Sequence, residues 1–206
     1  MIRVGLIGCG FMGGMHAACY AALAELGVKV TAIADDRPEF LAQMKEQTDA
    51  QTYESGMALI EQADVDVVDI CLPTYLHTAH ACAAMEKGRD VFCEKPVCLT
   101  EEDMQALLET KKRTGRKVMV GQVIRLWDEY AWLKKTVDAG TYGRGFRVYS
   151  SAFRRAPAGQ AATGCTRRRS RAAWPWICTC TTWTLCAICW ASQTAFRRAA
   201  IVTATD

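Results

Sequence analysis

A short apolar run, Ile2 to Ile7, gives way at once to Gly8-Cys9-Gly10-Phe11-Met12-Gly13. After it Met15, Ala18, Cys19, Ala22, Leu23 and Leu26 recur at helical spacing. The order is strand, glycine turn, helix, and few folds accommodate it. At this spacing Gly8 lets the chain turn tightly, Gly10 lets backbone approach a pyrophosphate, and Gly13 lets the helix lie close to the strand. The helix that starts in the turn offers free N–H groups and a partial positive charge to an anion. A dinucleotide is therefore expected on Gly8, Gly10, Phe11, Met12 and Gly13.

The next strand, Val28 to Ala34, ends in Asp35-Asp36-Arg37, which puts an acid 22 residues beyond Gly13. A carboxylate there can accept both ribose hydroxyls of NAD and repels a 2′-phosphate, so NAD is expected rather than NADP. Arg37 keeps the alternative open, because its guanidinium could pair with a 2′-phosphate if Asp35 turned away.

Further strands are expected at Val65 to Leu72, Asp90 to Cys93 and Lys117 to Val120. Helices are expected at Tyr75 to Lys87 and at Glu101 to Thr114, the second capped by Thr100 with Asp103 at the capping-box position. Alternating strand and helix implies parallel pairing with right-handed crossovers. The fold class is thus α/β, a doubly wound parallel sheet of the Rossmann type with its ligand at the strand C-terminal ends. A length of 206 residues allows one such domain and a remnant of a second. No basic segment with an apolar stretch precedes the first strand, so the front half reads as cytoplasmic. Cys9, Cys19, Cys71, Cys82, Cys93 and Cys98 are scattered singly through apolar segments, as buried free thiols are.

Three stretches fall at strand ends: Cys71-Leu72-Pro73-Thr74-Tyr75-Leu76-His77, Cys93-Glu94-Lys95-Pro96, and Gly121-Gln122-Val123-Ile124-Arg125-Leu126-Trp127. With the glycine turn they resemble the oxidoreductase family named for glucose-fructose oxidoreductase, inositol dehydrogenase and a rhizopine-catabolism protein (Gfo/Idh/MocA), over about residues 2–153. The resemblance implies hydride transfer between NAD(H) and a secondary alcohol of a polyol, sugar or related carbohydrate. It makes Lys95 the catalytic residue, beside the nicotinamide and the substrate hydroxyl, where an ammonium can stabilise a developing alkoxide. It also puts Leu72, Pro73, Thr74, Glu94 and Arg125 in the cofactor cleft. His77 would begin the following helix near a ribose, without a catalytic role, and a cis bond before Pro96 would turn the chain into the next helix. Arg125 and Trp127 would either touch substrate or pack the domain junction. The resemblance divides the chain into a dinucleotide domain over 1–143 and, over 144–206, the start of an α+β substrate and oligomerisation domain. The intact protein would be a homo-oligomer, and no metal site is expected.

The tail departs from that pattern. From Arg154 onward there are eight Arg and one acid, Asp206, although the whole chain has 25 basic and 22 acidic residues. Residues 174–196 carry no charge, and Cys178, Cys180, Cys186 and Cys189 crowd together. Taken literally, these features suggest a zinc site, a membrane anchor or a nucleic-acid arm. The genetic code offers one account of all three. Trp is TGG, Cys TGY and Thr ACN, and residues 174–184 reread two bases later permit Ala-Leu-Asp-Leu-His-Val-His-Asp-Val-Asp. That contains the Asp-x-x-x-His-x-x-Asp helix which the family carries and this chain lacks. The reading frame is accordingly expected to slip between about Phe153 and Gly164, which removes the metal, membrane and nucleic-acid readings. The chain would then be a truncated or inactive form of an enzyme, the alternative being a non-enzymatic dinucleotide-binding module or sensor.

Overall fold

Val4, Leu6 and Ile7 are all buried, so the first strand lies at the centre of its sheet, covered on both faces. The computed structural model of the chain describes residues 1–141. In chain order the elements are β1 (Ile2–Ile7), α1 (Phe11–Ala22), β2 (Val28–Ala34), α2 (Pro38–Thr48), β3 (Gln51–Tyr53) and α3 (Gly56–Gln62). Then come β4 (Val67–Ile70), α4 (His77–Glu86), β5 (Asp90–Cys93), α5 (Glu101–Thr114), β6 (Val118–Val120) and α6 (Asp128–Asp138). The six strands form one sheet in the order β3-β2-β1-β4-β5-β6, every neighbouring pair parallel. This is the doubly wound α/β arrangement, with its strand order reversing between β1 and β4.

Two cores flank the sheet because side chains alternate along each strand. Leu6, Val30 and Ile33 pack with Ala17 of α1 and Met44 of α2. Ile7, Ala32, Ala34 and Val68 pack on the other face with Leu59 and Ile60 of α3, Ala81 and Met85 of α4 and Leu107 of α5. α5 is delimited as expected: the Thr100 hydroxyl accepts from Asp103 N at 3.1 Å and Gly115 closes the helix at φ 69°. Its first turn is acidic and its last basic, which complements the helix dipole.

Three boundaries differ from expectation. β4 is shorter than 65–72, because Cys71 N bonds to Ile7 O and the chain then leaves the ladder. β6 starts one residue later, at Val118. α4 begins at His77 because Thr74–Leu76 forms a separate 3-10 turn.

β1 and β2 lose register between Val4 and Gly5, whose partners are Val30 and Ala32, leaving Thr31 opposite no residue. Its hydroxyl is buried without a partner among the described residues. Thr31→Val removes that orphan at nearly constant volume and should stabilise the domain by about 1 kcal/mol. A thermal melt should show the midpoint rising by a few degrees, and a fall would mean that the hydroxyl is satisfied in solution.

Contacts divide the chain into two units, Met1–Gly121 and Gln122 onward. The described part of the second is a 3-10 turn, Val123–Leu126, followed by α6. The expected division at 143/144, the strand over 145–155, the tail cysteines and arginines and the frame slip all lie outside the described residues. No helix among the described residues is long and apolar enough to cross a membrane.

Candidate cofactor site

Parallel pairing brings the C-terminal ends of β1, β2, β4 and β5 to one edge of the sheet, and most of the expected site residues sit there. The turn after β1 is shaped by close backbone approach. Gly8 has φ 95°, and a Cβ on it would lie 2.6 Å from the Cys71 carbonyl oxygen. A Cβ on Gly13 would lie 1.9 Å from the Gly8 carbonyl oxygen, so only glycine lets α1 start against the turn. Gly10 caps α1 with no side-chain hydrogen bond, and no acid occupies the first turn. The first N–H groups of the helix therefore have neither an intrahelical acceptor nor a competing carboxylate. Phe11 and Met12 are exposed beside them.

Asp35 directly follows β2 and is buried. Its Oδ2 accepts from Cys9 N at 2.7 Å and Arg37 Nη2 at 3.1 Å; its Oδ1 accepts from Arg37 N at 3.0 Å and Arg37 Nε at 2.9 Å. Burial opposes ionisation, but the Arg37 guanidinium and the two backbone N–H groups hold the carboxyl below its usual range. The guanidinium also lies 4.0 Å over the Phe40 ring. All the acceptor positions of Asp35 are thus taken, and a ribose hydroxyl can reach it only if Arg37 swings aside.

After β4, Pro73 is exposed and Leu72 and Thr74 are half-buried. His77, expected near a ribose, begins α4 and is 1% exposed. Its Nε2 lies 2.7 Å from Leu72 O and its Nδ1 2.9 Å from Pro96 O. Both ring nitrogens face backbone carbonyls, so the ring ties the loop after β4 to the loop after β5. After β5, Glu94 is buried, Lys95 is exposed, and the Lys95–Pro96 bond is cis. Lys95 N donates to Glu94 Oε2 at 3.1 Å. In the second unit Arg125 is exposed and Trp127 stacks on Tyr130 with centroids 5.9 Å apart.

The sequence reading missed a polar cluster inside the first unit. His16 of α1 lies 2.8 Å from Asp69 Oδ2 through Nδ1 and 3.3 Å from Glu94 Oε1 through Nε2. The Tyr20 hydroxyl donates to the same Asp69 oxygen at 2.8 Å, and Cys71 Sγ lies 3.3 Å from His16 Nδ1. The donor atoms of His16, Asp69 and Cys71 lie within 4.8 Å of one another, a spacing that these hydrogen bonds already explain. Burial pushes the Cys71 thiol up to about 12, against the pull of His16. One signal was present: Asp69 is a charged residue inside an otherwise apolar strand.

Residues 2–122 match the model of an oxidoreductase family described as having an NAD-binding Rossmann fold. Levoglucosan dehydrogenase of Pseudarthrobacter phenanthrenivorans is 34% identical over 150 residues, 69% of this chain and 38% of that protein. Inositol 2-dehydrogenase of Pseudomonas syringae pv. syringae is 33% identical over 146 residues, 69% of this chain and 43% of that one. Scyllo-inositol dehydrogenase from Lactobacillus casei, solved with NAD(H) and scyllo-inositol, superposes with a TM-score of 0.65 at 28% identity, covering 69% of this chain and 42% of that one. WlbA dehydrogenase from Bordetella pertussis, solved with NADH and UDP-GlcNAcA, gives 0.67 at 27% identity, covering 69% and 41%. The chain spans about two-fifths of the length of the relatives it matches.

Proposed function

The chain belongs to the Gfo/Idh/MocA oxidoreductase family, and from that premise we propose that its first 121 residues hold NAD(H) for a dehydrogenase of polyols or sugars. The observation that carries this is the Gly8–Gly13 turn, with its uncapped, acid-free helix start, on the same sheet edge as Lys95. The residues fit the cofactor. The close approach at Gly8 and Gly13 leaves backbone N–H groups open to a pyrophosphate, and Asp35, just past β2, can take a ribose once Arg37 swings aside. Leu72, Pro73 and Thr74 would line the cleft, and bound NAD supplies the hydride acceptor. Lys95 would orient the substrate hydroxyl with its ammonium and hold the charge that grows on that oxygen.

Substrate choice and proton transfer belong to a second domain, and the proposal includes the frame slip. The relatives align over about 150 residues, 69% and 72% of this chain, so part of the chain has no counterpart in those alignments. The intact protein would carry the His-bearing helix, act on a secondary alcohol of a polyol or sugar, and assemble as a homo-oligomer. Free thiols such as Cys9 and Cys93 suit a reducing compartment, so the proposal places it in the cytoplasm.

Fluorescence titration of this chain with NADH, beside an assay with inositol, tests the reading. Saturable binding with no turnover supports a cofactor domain without its catalytic partner. Robust turnover overturns the frame slip, and no binding overturns the proposal. Asp35→Ser should shift cofactor preference. The serine still accepts from Cys9 N, but the ribose loses a charged acceptor worth about 1.5 kcal/mol, roughly tenfold in Kd. NADPH should bind more tightly than to the parent, because the freed Arg37 can pair with its 2′-phosphate.

A further inference from the structure

Two carboxylates with almost no access to water lie side by side under the C-terminal edge of the sheet. Asp69 in β4 is 0% exposed and Glu94 at the end of β5 is 6% exposed. Buried charges of one sign on adjacent strands repel, and each must find a counter-charge or take up a proton. The group between them is His16, three residues past Gly13 on α1. Its Nδ1 meets Asp69 Oδ2 at 2.8 Å and its Nε2 meets Glu94 Oε1 at 3.3 Å. An ionised carboxylate only accepts hydrogen bonds, so an imidazole with a carboxylate at each nitrogen must donate from both.

We propose that His16 is a positioning residue of the cofactor site, an imidazolium clamped between Asp69 and Glu94 that fixes the Glu94–Lys95 turn against the helix carrying the glycine turn. The remaining neighbours fit that charge. Tyr20 donates to Asp69, Cys71 Sγ lies 3.6 Å from Asp69 Oδ1, and the Phe92 ring meets the imidazole edge-on at 5.6 Å. The hydrogen bond that the ring gives to Asp69, then those it makes with Cys71 and Glu94, raise the imidazole pKa to about 12 against the effect of burial. Glu94 has little freedom to move. Its Oε2 accepts the Lys95 N–H, and a Cβ on Gly121 would come within 2.9 Å of Oε1. Holding this carboxylate therefore holds the peptide from which the Lys95 side chain departs. The clamp is independent of the cofactor reading, whereas its positioning role rests on it.

The full chain contains three His, so 15N-labelled imidazoles can be assigned by comparing it with His16→Gln. The His16 ring should show two protonated nitrogens and no titration from pH 6 to 9. A neutral tautomer, or a midpoint near the ordinary value of about 6.5, would overturn the proposal. In NADH titrations His16→Gln should weaken binding at least tenfold. His16→Gln/Glu94→Gln should recover most of that loss, because two amides can pair without a charge. NADH binding by His16→Gln equal to the parent, or no recovery in the double variant, would overturn the positioning role. If His16→Gln does not fold, the double variant should fold and bind NADH, and its failure counts against the clamp. If the unmodified chain binds no NADH, the cofactor reading falls and the positioning role with it, while the nitrogen spectra still decide whether the clamp exists.

Discussion

Gly13→Ala should abolish NADH binding and lower the thermal midpoint by roughly 10 °C, while Gly14→Ala, one residue on, should raise it. The two glycines are neighbours in α1 but face different surroundings. A Cβ on Gly13 would sit 1.9 Å from Gly8 O and 2.9 Å from Gly8 C, and both are backbone atoms. Neither can rotate away, so α1 must lift from the turn. Overpacking of this kind costs about 3 kcal/mol, and for a domain of this size each kcal/mol moves the midpoint by about 3 °C. Lifting α1 also moves the N–H groups that would meet the pyrophosphate. A Cβ on Gly14 meets nothing within 4 Å, and alanine in a helix is better than glycine by about 0.5–1 kcal/mol. Circular-dichroism melts and NADH titrations of both variants check the pair. If Gly13→Ala melts with the parent, α1 does not approach the turn as described.

The same residues explain why the front of this fold was legible in the sequence. β1, its glycine turn and α1 are consecutive, so one local pattern specifies strand, turn and helix together. β2 ends immediately before Asp35, and α5 announces itself by Thr100 and Gly115. Between Pro38 and Gln62 no pattern was read, and the structure shows why. β3 has three residues with one buried side chain, and α3 has seven, too few turns for a helical period to emerge.

The site divides the same way. The glycines, Asp35 and Lys95 belong to local motifs, so the sequence alone locates them. His16 and Asp69 are 53 positions apart, and only the β1–β4 pairing and the packing of α1 bring them together. The tie that His77 makes between two loops was hidden for a similar reason. Its partners Leu72 O and Pro96 O are backbone atoms, which carry no residue signature. Arg37 was visible, but that it occupies every free position on Asp35 depends on a side-chain rotamer.

Asp69→Ala should be among the most destabilising single substitutions in the first unit. The carboxylate has no exposed surface, accepts from His16 and Tyr20, and lies within reach of Cys71. Deleting it leaves a charged ring and a hydroxyl buried with too few partners, and breaking a buried ion pair in this way costs about 3–5 kcal/mol. Urea unfolding at pH 7 should show that loss, with Asp69→Asn between the variant and the parent because the amide oxygen still accepts. The pH dependence should change as well. The folded-state pKa of His16 is raised to about 12, so its contribution is full below the unfolded value of about 6.5 and declines as pH rises toward 12. Glu94 acts in the opposite direction, since its lowered pKa stabilises the fold above its ordinary range and that contribution is lost on acidification. The parent should therefore lose stability between pH 7 and pH 10. Asp69→Ala should lose less over that interval, because without the Asp69 hydrogen bond the imidazole returns toward its ordinary pKa. Equal slopes in the two proteins would show that His16 does not carry its charge against Asp69.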